Sequence, residues 1–395
     1  MDLETLKHPK LPFLYAVEAA HRWASLKLVV DRDSWQGNTL LALIDLPCLR
    51  RLGLVLQPSI QREALSLPNP SGARLFASAP NLTTVKIVLQ KPFRKLGLAG
   101  FFAGISDDRP LPMPPLSECS LPWTQLRELE LSAMVLDDAF AIIKLCRTSL
   151  HVLTLSDIAF VRSNTPIQLS NITLTKLRSL NLIHCRGRQR DPLELNSPVV
   201  ACVLLHLTAP VLHSLRFTPD ESGITDVVAF CSRSHCEIRD VVAFAPRTVL
   251  TTSYFDVLAA LGPHVRSLEL QLQLGNHVNM IAELSVRSLP GNLNGDFVRA
   301  LQTLSLTLVI PSRKAVLFGD FDAYETSLYI SKIVEALWVS PRRRSVDGQK
   351  EVSSCEHRFR TVRLGIPREF MTPGTLEKLE KWSEEGLNVV LGCCK

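Results

Sequence analysis

Between Leu126 and Cys185 one apolar pattern is written three times: LRELELSAM from Leu126, LHVLTLSDI from Leu150 and LRSLNLIHC from Leu177. Side chains alternate between the two faces of a strand. The L-x-L core of each copy therefore sends two leucines to one face and the residue between them to the other, while the leucine three places earlier fills the corner where the chain turns into the strand. One such strand cannot cover its own apolar face. Copies stacked side by side cover one another, and a stack grows along one axis without enlarging a single core.

The same pattern, followed along the chain, predicts strands beginning near Leu26, Leu49, Leu82, Leu126, Leu150, Leu177, Leu212, Val265, Leu301 and Phe359, with a weaker one at Ile238. Pro47, Pro80, Pro210 and Pro263 each stand two residues before such a start. Proline cannot continue a helix and pushes its neighbour to extended geometry, so it closes one element and opens the next. Between the strands, apolar residues at helical spacing predict helices over 39–46, 137–147, 198–208, 225–232, 253–261 and 327–339, and the chain closes with a helix after Pro373 and a strand carrying Leu387, Val389 and Leu391. The expected class is α/β: an irregular leucine-rich-repeat solenoid, an arc or horseshoe with strands on its concave side and helices on its convex side. It is expected to span 16–391 after a short segment, 1–15. Insertion loops are expected near 90–120, 186–197, 275–296 and 340–355, and the strand near Leu26 to Val30 is expected to stand as an open, self-associating edge.

Composition narrows the picture further. With 46% hydrophobic and 21% charged residues and a mean hydropathy of +0.14, the 395-residue chain has the makeup of a packed protein. It contains no apolar run of the roughly 18 residues that a membrane span requires. The opening MDLETLKHPK is unlike a secretory signal, so the expected location is cytoplasmic or nuclear, with no membrane partner. Ten cysteines are scattered without C-x-x-C spacing; Cys48, Cys146, Cys185 and Cys202 read as packing thiols and no metal or other cofactor is expected.

Catalytic signatures are absent from the sequence: there is no G-x-S-x-G elbow, phosphate-binding G-x-x-x-x-G-K-S/T loop or H-E-x-x-H pair, so no enzyme activity is expected. Gly97, Gly100 and Gly104 lack the spacing of a dinucleotide turn. Arg186, Arg188 and Arg190, and the run Arg342, Arg343 and Arg344, fall in insertion loops without interleaved aromatics. Solvated loops are the expected reading, and nucleic-acid binding is not expected. What the pattern does point to is a surface made of the residues between the repeat leucines: Lys27, Arg51, Lys86, Glu128, Glu130, Thr154, Asn181, Arg216, Glu269, Gln271 and Arg363. Their mixed polarity suits a protein epitope better than a phosphate backbone.

HRWASLKL from His21, the recurrent Pro-x-Leu starts, LPWTQLRELEL from Leu121 and EGLNVVL from Glu385 together resemble the leucine-rich region of F-box proteins of mushroom-forming fungi, over about Ala16 to Leu391. In that family a helical F-box docks the Skp-type adaptor of a cullin ubiquitin ligase, and the leucine-rich part is presumed to hold the substrate. HPKLPFLY is not the LP-x-E-I/L-L type of opening, so no docking to a Skp-type adaptor is expected. The resemblance therefore implies a protein-binding scaffold like the substrate-recognition part of such a receptor. The alternative is a nucleic-acid or nuclear-partner binder working through the arginine-rich loops.

Overall fold

The structure is a computed structural model that describes residues 2–3, 19–31, 45–57, 76, 79–89, 121–158, 169–183, 199–217, 223–244, 261, 264–273, 301–309, 323–338, 359–366, 368 and 371–392. The chain divides into two compact units, Met1–Pro210 and Val211–Lys395. The expected insertion loops, with their glycine and arginine clusters, and nearly all of the helices expected over 39–46 and 253–261 lie outside the described residues.

In the first unit β1 (Asp2–Leu3), β2 (Ser25–Asp31), β3 (Arg51–Gln57), β4 (Thr84–Leu89), β5 (Glu128–Ser132) and β6 (Val152–Ser156) pair in chain order. After the two-residue β7 (Ile172–Thr173), β8 (Ser179–Ile183) continues the same sheet, and every pairing in it is parallel. The register lays apolar side chains in two rows. Leu26, Leu52, Val85, Leu129, Leu153 and Leu180 form one, Leu28, Leu54, Ile87, Leu131, Leu155 and Leu182 the other, and all are buried. Leu49, Leu82, Leu126, Leu150 and Leu177, the corner leucines before β3, β4, β5, β6 and β8, are wholly buried.

One backbone device sets this register. At each strand start a carbonyl accepts N–H bonds from two successive residues of the next strand: Ala24 O from Arg50 (2.9 Å) and Arg51 (3.2 Å), Arg50 O from Thr83 and Thr84 (both 3.0 Å), Thr83 O from Arg127 (2.8 Å) and Glu128 (3.0 Å). Arg127 O and His151 O repeat it toward His151 and Val152, and toward Arg178 and Ser179. A one-residue slip would break both bonds and turn the leucines outward. Side-chain amides add ties between neighbouring copies: Asn81 Nδ2 donates to Pro47 O (2.7 Å), and Gln125 Nε2 donates to Ala79 O (2.9 Å) and Leu82 O (3.1 Å).

Two expectations are corrected here. β1 pairs with Lys27 and Leu28 of β2, so the edge expected to be open carries a strand at those residues. The helix expected over 198–208 ends early: α2 spans Val199–His206, and Leu207–Thr208 forms β9, because Ile172–Thr173 offers the backbone a parallel partner. The other described helix of this unit, α1 (Leu136–Leu145), buries Leu136, Ala139, Phe140, Ile142 and Ile143 and leaves Ala141 and Lys144 exposed.

The first turn of α1 carries Asp137 and Asp138. Burial, and secondarily the Asp137 charge, raises the Asp138 carboxyl above its ordinary 3.8. A carboxyl with a raised folded value binds its proton more readily folded than unfolded. Its contribution is fully present below the ordinary value and is lost as pH rises through the raised one. Asp138→Asn is therefore expected to raise the urea midpoint at neutral pH and to leave it unchanged well below 3.8.

In the second unit β10 (Ser214–Phe217), β11 (Asp240–Phe244), β12 (Ser267–Gln273), β13 (Thr303–Val309), β14 (Thr361–Gly365) and β15 (Asn388–Leu391) also pair in parallel and in chain order. The same twofold carbonyl bond recurs from His213, Arg239, Arg266 and Gln302 to the strand that follows each. Gly365 answers a close approach, since a Cβ there would lie 3.0 to 3.3 Å from Thr307.

The helices of this unit are α3 (Gly223–Ser234), α4 (Ala323–Trp338) and α5 (Pro373–Glu384). A buried polar knot joins the last two. Thr372 N donates to Ser327 Oγ (2.8 Å), Thr375 Oγ1 donates to Ser327 O (3.1 Å), and Thr372 Oγ1 caps α5 by accepting from Thr375 N (3.4 Å). At its far end Gly386, at φ 102°, lets Leu387 N bond Trp382 O and Gly386 N bond Ser383 O, both at 3.0 Å, which packs Leu387 with Trp382 in the core. His235, at φ 51°, closes α3 in the same way, and there the two residues brought together are Cys231 and Cys236.

Among the described residues no helix is long and apolar enough to cross a membrane. The fold is thus mixed α/β, with parallel strands in chain order and helices in the connections between strands.

Candidate binding surface on the strand faces

Burying every second strand residue leaves the alternate ones to face away, and the register groups these into rows about 4.8 Å apart from strand to strand. In the first unit Lys27, Gly53, Lys86, Glu130, Thr154 and Asn181 form one row, and Arg51, Thr84, Glu128, Val152 and Ser179 the row before it. In the second, Arg216, Val242, Glu269, Ser305, Arg363 and Val390 stand in register, while Gln271 belongs to the next row with Phe244, Thr307 and Gly365. The structure therefore brings seven of the eleven expected residues onto two adjacent rows in the first unit, and Arg216, Glu269 and Arg363 onto one row in the second.

Neighbours within the rows hold one another. Lys86 Nζ lies 2.6 Å from Glu130 Oε1, with both side chains well exposed (52% and 37%), so the pair contributes about 0 to 1 kcal/mol and serves more to fix geometry. Thr84 Oγ1 donates to Glu128 Oε2 (3.1 Å), and Asn181 Nδ2 donates to Thr154 Oγ1 (2.9 Å). Each bond crosses between strands, so the surface is ordered before any partner arrives.

Sequence reasoning missed a further column, formed by the residue just after each corner leucine. In the first unit it reads Arg50, Thr83, Arg127, His151 and Arg178; in the second, His213, Arg239, Arg266, Gln302 and Arg360. These are the residues whose carbonyls accept the twofold bonds, or, at the far end of each ladder, whose N–H groups donate to one. The signal was present as Leu-Arg in LRRLGL, LRELEL and LRSLNL. Arg50, Arg127 and Arg178 are exposed and make no ion pair or side-chain hydrogen bond among the described residues, whereas Arg239 lies 3.5 Å from Glu237.

The described histidines and cysteines form no group of three or more with acidic residues that could hold a metal ion. Burial pushes the Cys146 thiol up to about 12. The hydrogen bond between Cys231 and Cys236 lowers Cys236 and, with burial, raises Cys231. The thiolate is the reactive form. Iodoacetamide at neutral pH is therefore expected to label Cys236 before Cys231 and Cys146, as read by peptide mass spectrometry. Equal rates would mean that the two thiols do not share a bond.

No protein-family model matches the chain, and no curated protein matches it.

Proposed function

We propose that the chain is a protein-binding scaffold, an irregular leucine-rich-repeat solenoid resembling the substrate-recognition part of an F-box ubiquitin-ligase receptor and working without catalytic turnover. The observation that carries this reading is the pair of adjacent rows around Lys86, Glu128, Glu130, Thr154 and Asn181, solvent-facing, chemically mixed and fixed in register by the carbonyl ladder. Mixed polar rows backed by a rigid sheet suit a folded protein epitope. The competing nucleic-acid reading places its arginines in segments outside the described residues, and Glu128 and Glu130 on this face would repel a phosphate backbone.

The test is selection of binders from a displayed protein library on the wild-type chain. Those binders are then measured against Lys86→Glu combined with Asn181→Lys, with circular dichroism to verify the fold. Selected binders are expected to lose at least about tenfold in affinity on the variant, some 1.4 kcal/mol. Binders that ignore both substitutions would overturn the assignment.

A further inference from the structure

In the first unit the arginines of the column stand on alternate strands. Arg50 leads β3, Arg127 leads β5 and Arg178 leads β8, with Thr83 and His151 on the strands between. Two strand steps separate successive arginines, about 9.6 Å. Backbone bonds hold the spacing of the three Cα atoms, so the arginines stand as evenly spaced marks along a ruler. They are exposed and lack counter-ions among the described residues, and Arg51, next to Arg50, and Lys176, two residues before Arg178, are exposed as well.

A guanidinium recognises a carboxylate through two parallel hydrogen bonds, so the ligand chemistry is a series of carboxylates at the same interval. Backbone geometry decides how a chain can supply them. A polyproline II segment repeats every three residues at about 9.3 Å and presents every third side chain on one face. In a β-strand the third residue points to the opposite face, and an α-helix matches the interval only at every seventh residue, about 10.5 Å. We propose that the arginine column of the first unit docks an extended acidic segment of a partner protein, with Asp or Glu at every third position. The proposal rests on the protein-binding reading and names its ligand.

The residues between the arginines fit a peptide backbone. His151 Nδ1 donates to Ser149 O (2.7 Å), which leaves Nε2 of the neutral ring as an acceptor for a peptide N–H. A polynucleotide fits less well. Of the described aromatic residues of this unit, Phe76, Trp123 and Phe140 are buried and Trp23 is half-buried, so none of these offers a fully exposed face for a base to stack on.

The experiment is fluorescence anisotropy on the full chain with three labelled probes: a peptide of repeated Glu-Pro-Pro triplets, an isomer with the same residues but its glutamates clustered at one end, and an oligothymidylate of equal charge. The triplet peptide is expected to bind at least about tenfold more tightly than either other probe, to weaken with salt, and to lose about tenfold on Arg127→Glu with Arg178→Glu. The milder Arg127→Gln with Arg178→Gln is expected to weaken it too, with an unchanged circular dichroism spectrum. Equal binding of the clustered isomer would overturn the ruler, indifference to the substitutions would overturn the location, and preferential binding of the oligothymidylate would overturn the partner class. If the triplet peptide fails while library-selected binders still depend on Lys86 and Asn181, the column proposal falls and the scaffold reading stands.

Discussion

Leu180→Ala will destabilise the first unit by about 2 to 5 kcal/mol, and Asn181→Ala, one residue along, by about 1 kcal/mol or less. Leu180 is wholly buried, in register with Leu153 on the neighbouring strand, so truncation leaves a cavity that the backbone ladder prevents from collapsing. Asn181 faces the other way, half-buried, and loses only its bond to Thr154 Oγ1. Urea titration with hydrogen exchange on β6 and β8 measures both. Equal losses would mean that the assignment of faces is wrong.

Ser327→Ala should cost the second unit about 1 to 3 kcal/mol, although it removes a single oxygen. That oxygen accepts the Thr372 backbone N–H at 2.8 Å and lies 3.1 Å from Thr372 Oγ1, and Ser327 itself is wholly buried. Without it the N–H of half-buried Thr372, at the cap of α5, loses its partner. Lys378→Ala loses a bond to Ser331 Oγ made by an exposed side chain and should stay within about 0.5 kcal/mol. If Ser327→Ala unfolds at the same denaturant concentration as wild type, the knot contributes nothing to holding α4 and α5 together.

The strand series was legible because a period of two is written into LELEL-like runs, and each expected strand start lies within or two residues before a strand of the structure. β1 was not: Asp2 and Leu3 carry no pattern, and their pairing depends on where the edge of β2 lies. β7 and β9 escaped for the same reason, being two residues each. The close of α5 was readable from Gly386, but the identical close of α3 falls on His235, where no glycine marks the positive φ. The seven row residues of the first unit were found because they stand between leucines. Arg50, Arg127 and Arg178 were passed over because each alone is an ordinary exposed arginine, and only stacking turns them into a column.

Because the carbonyl ladder decides pairing at each strand start, the length of chain between strands does not enter the decision. Glu128 and Val152 meet in register across a short connection, and Thr303 and Thr361 meet by the same bonds across one more than twice as long. Descendants of such a sequence can therefore gain or shed whole segments in the connections while the sheet keeps its alignment. Diversification by insertion is cheap in this architecture, whereas a single deletion inside LRELEL would displace every residue that follows it in the strand.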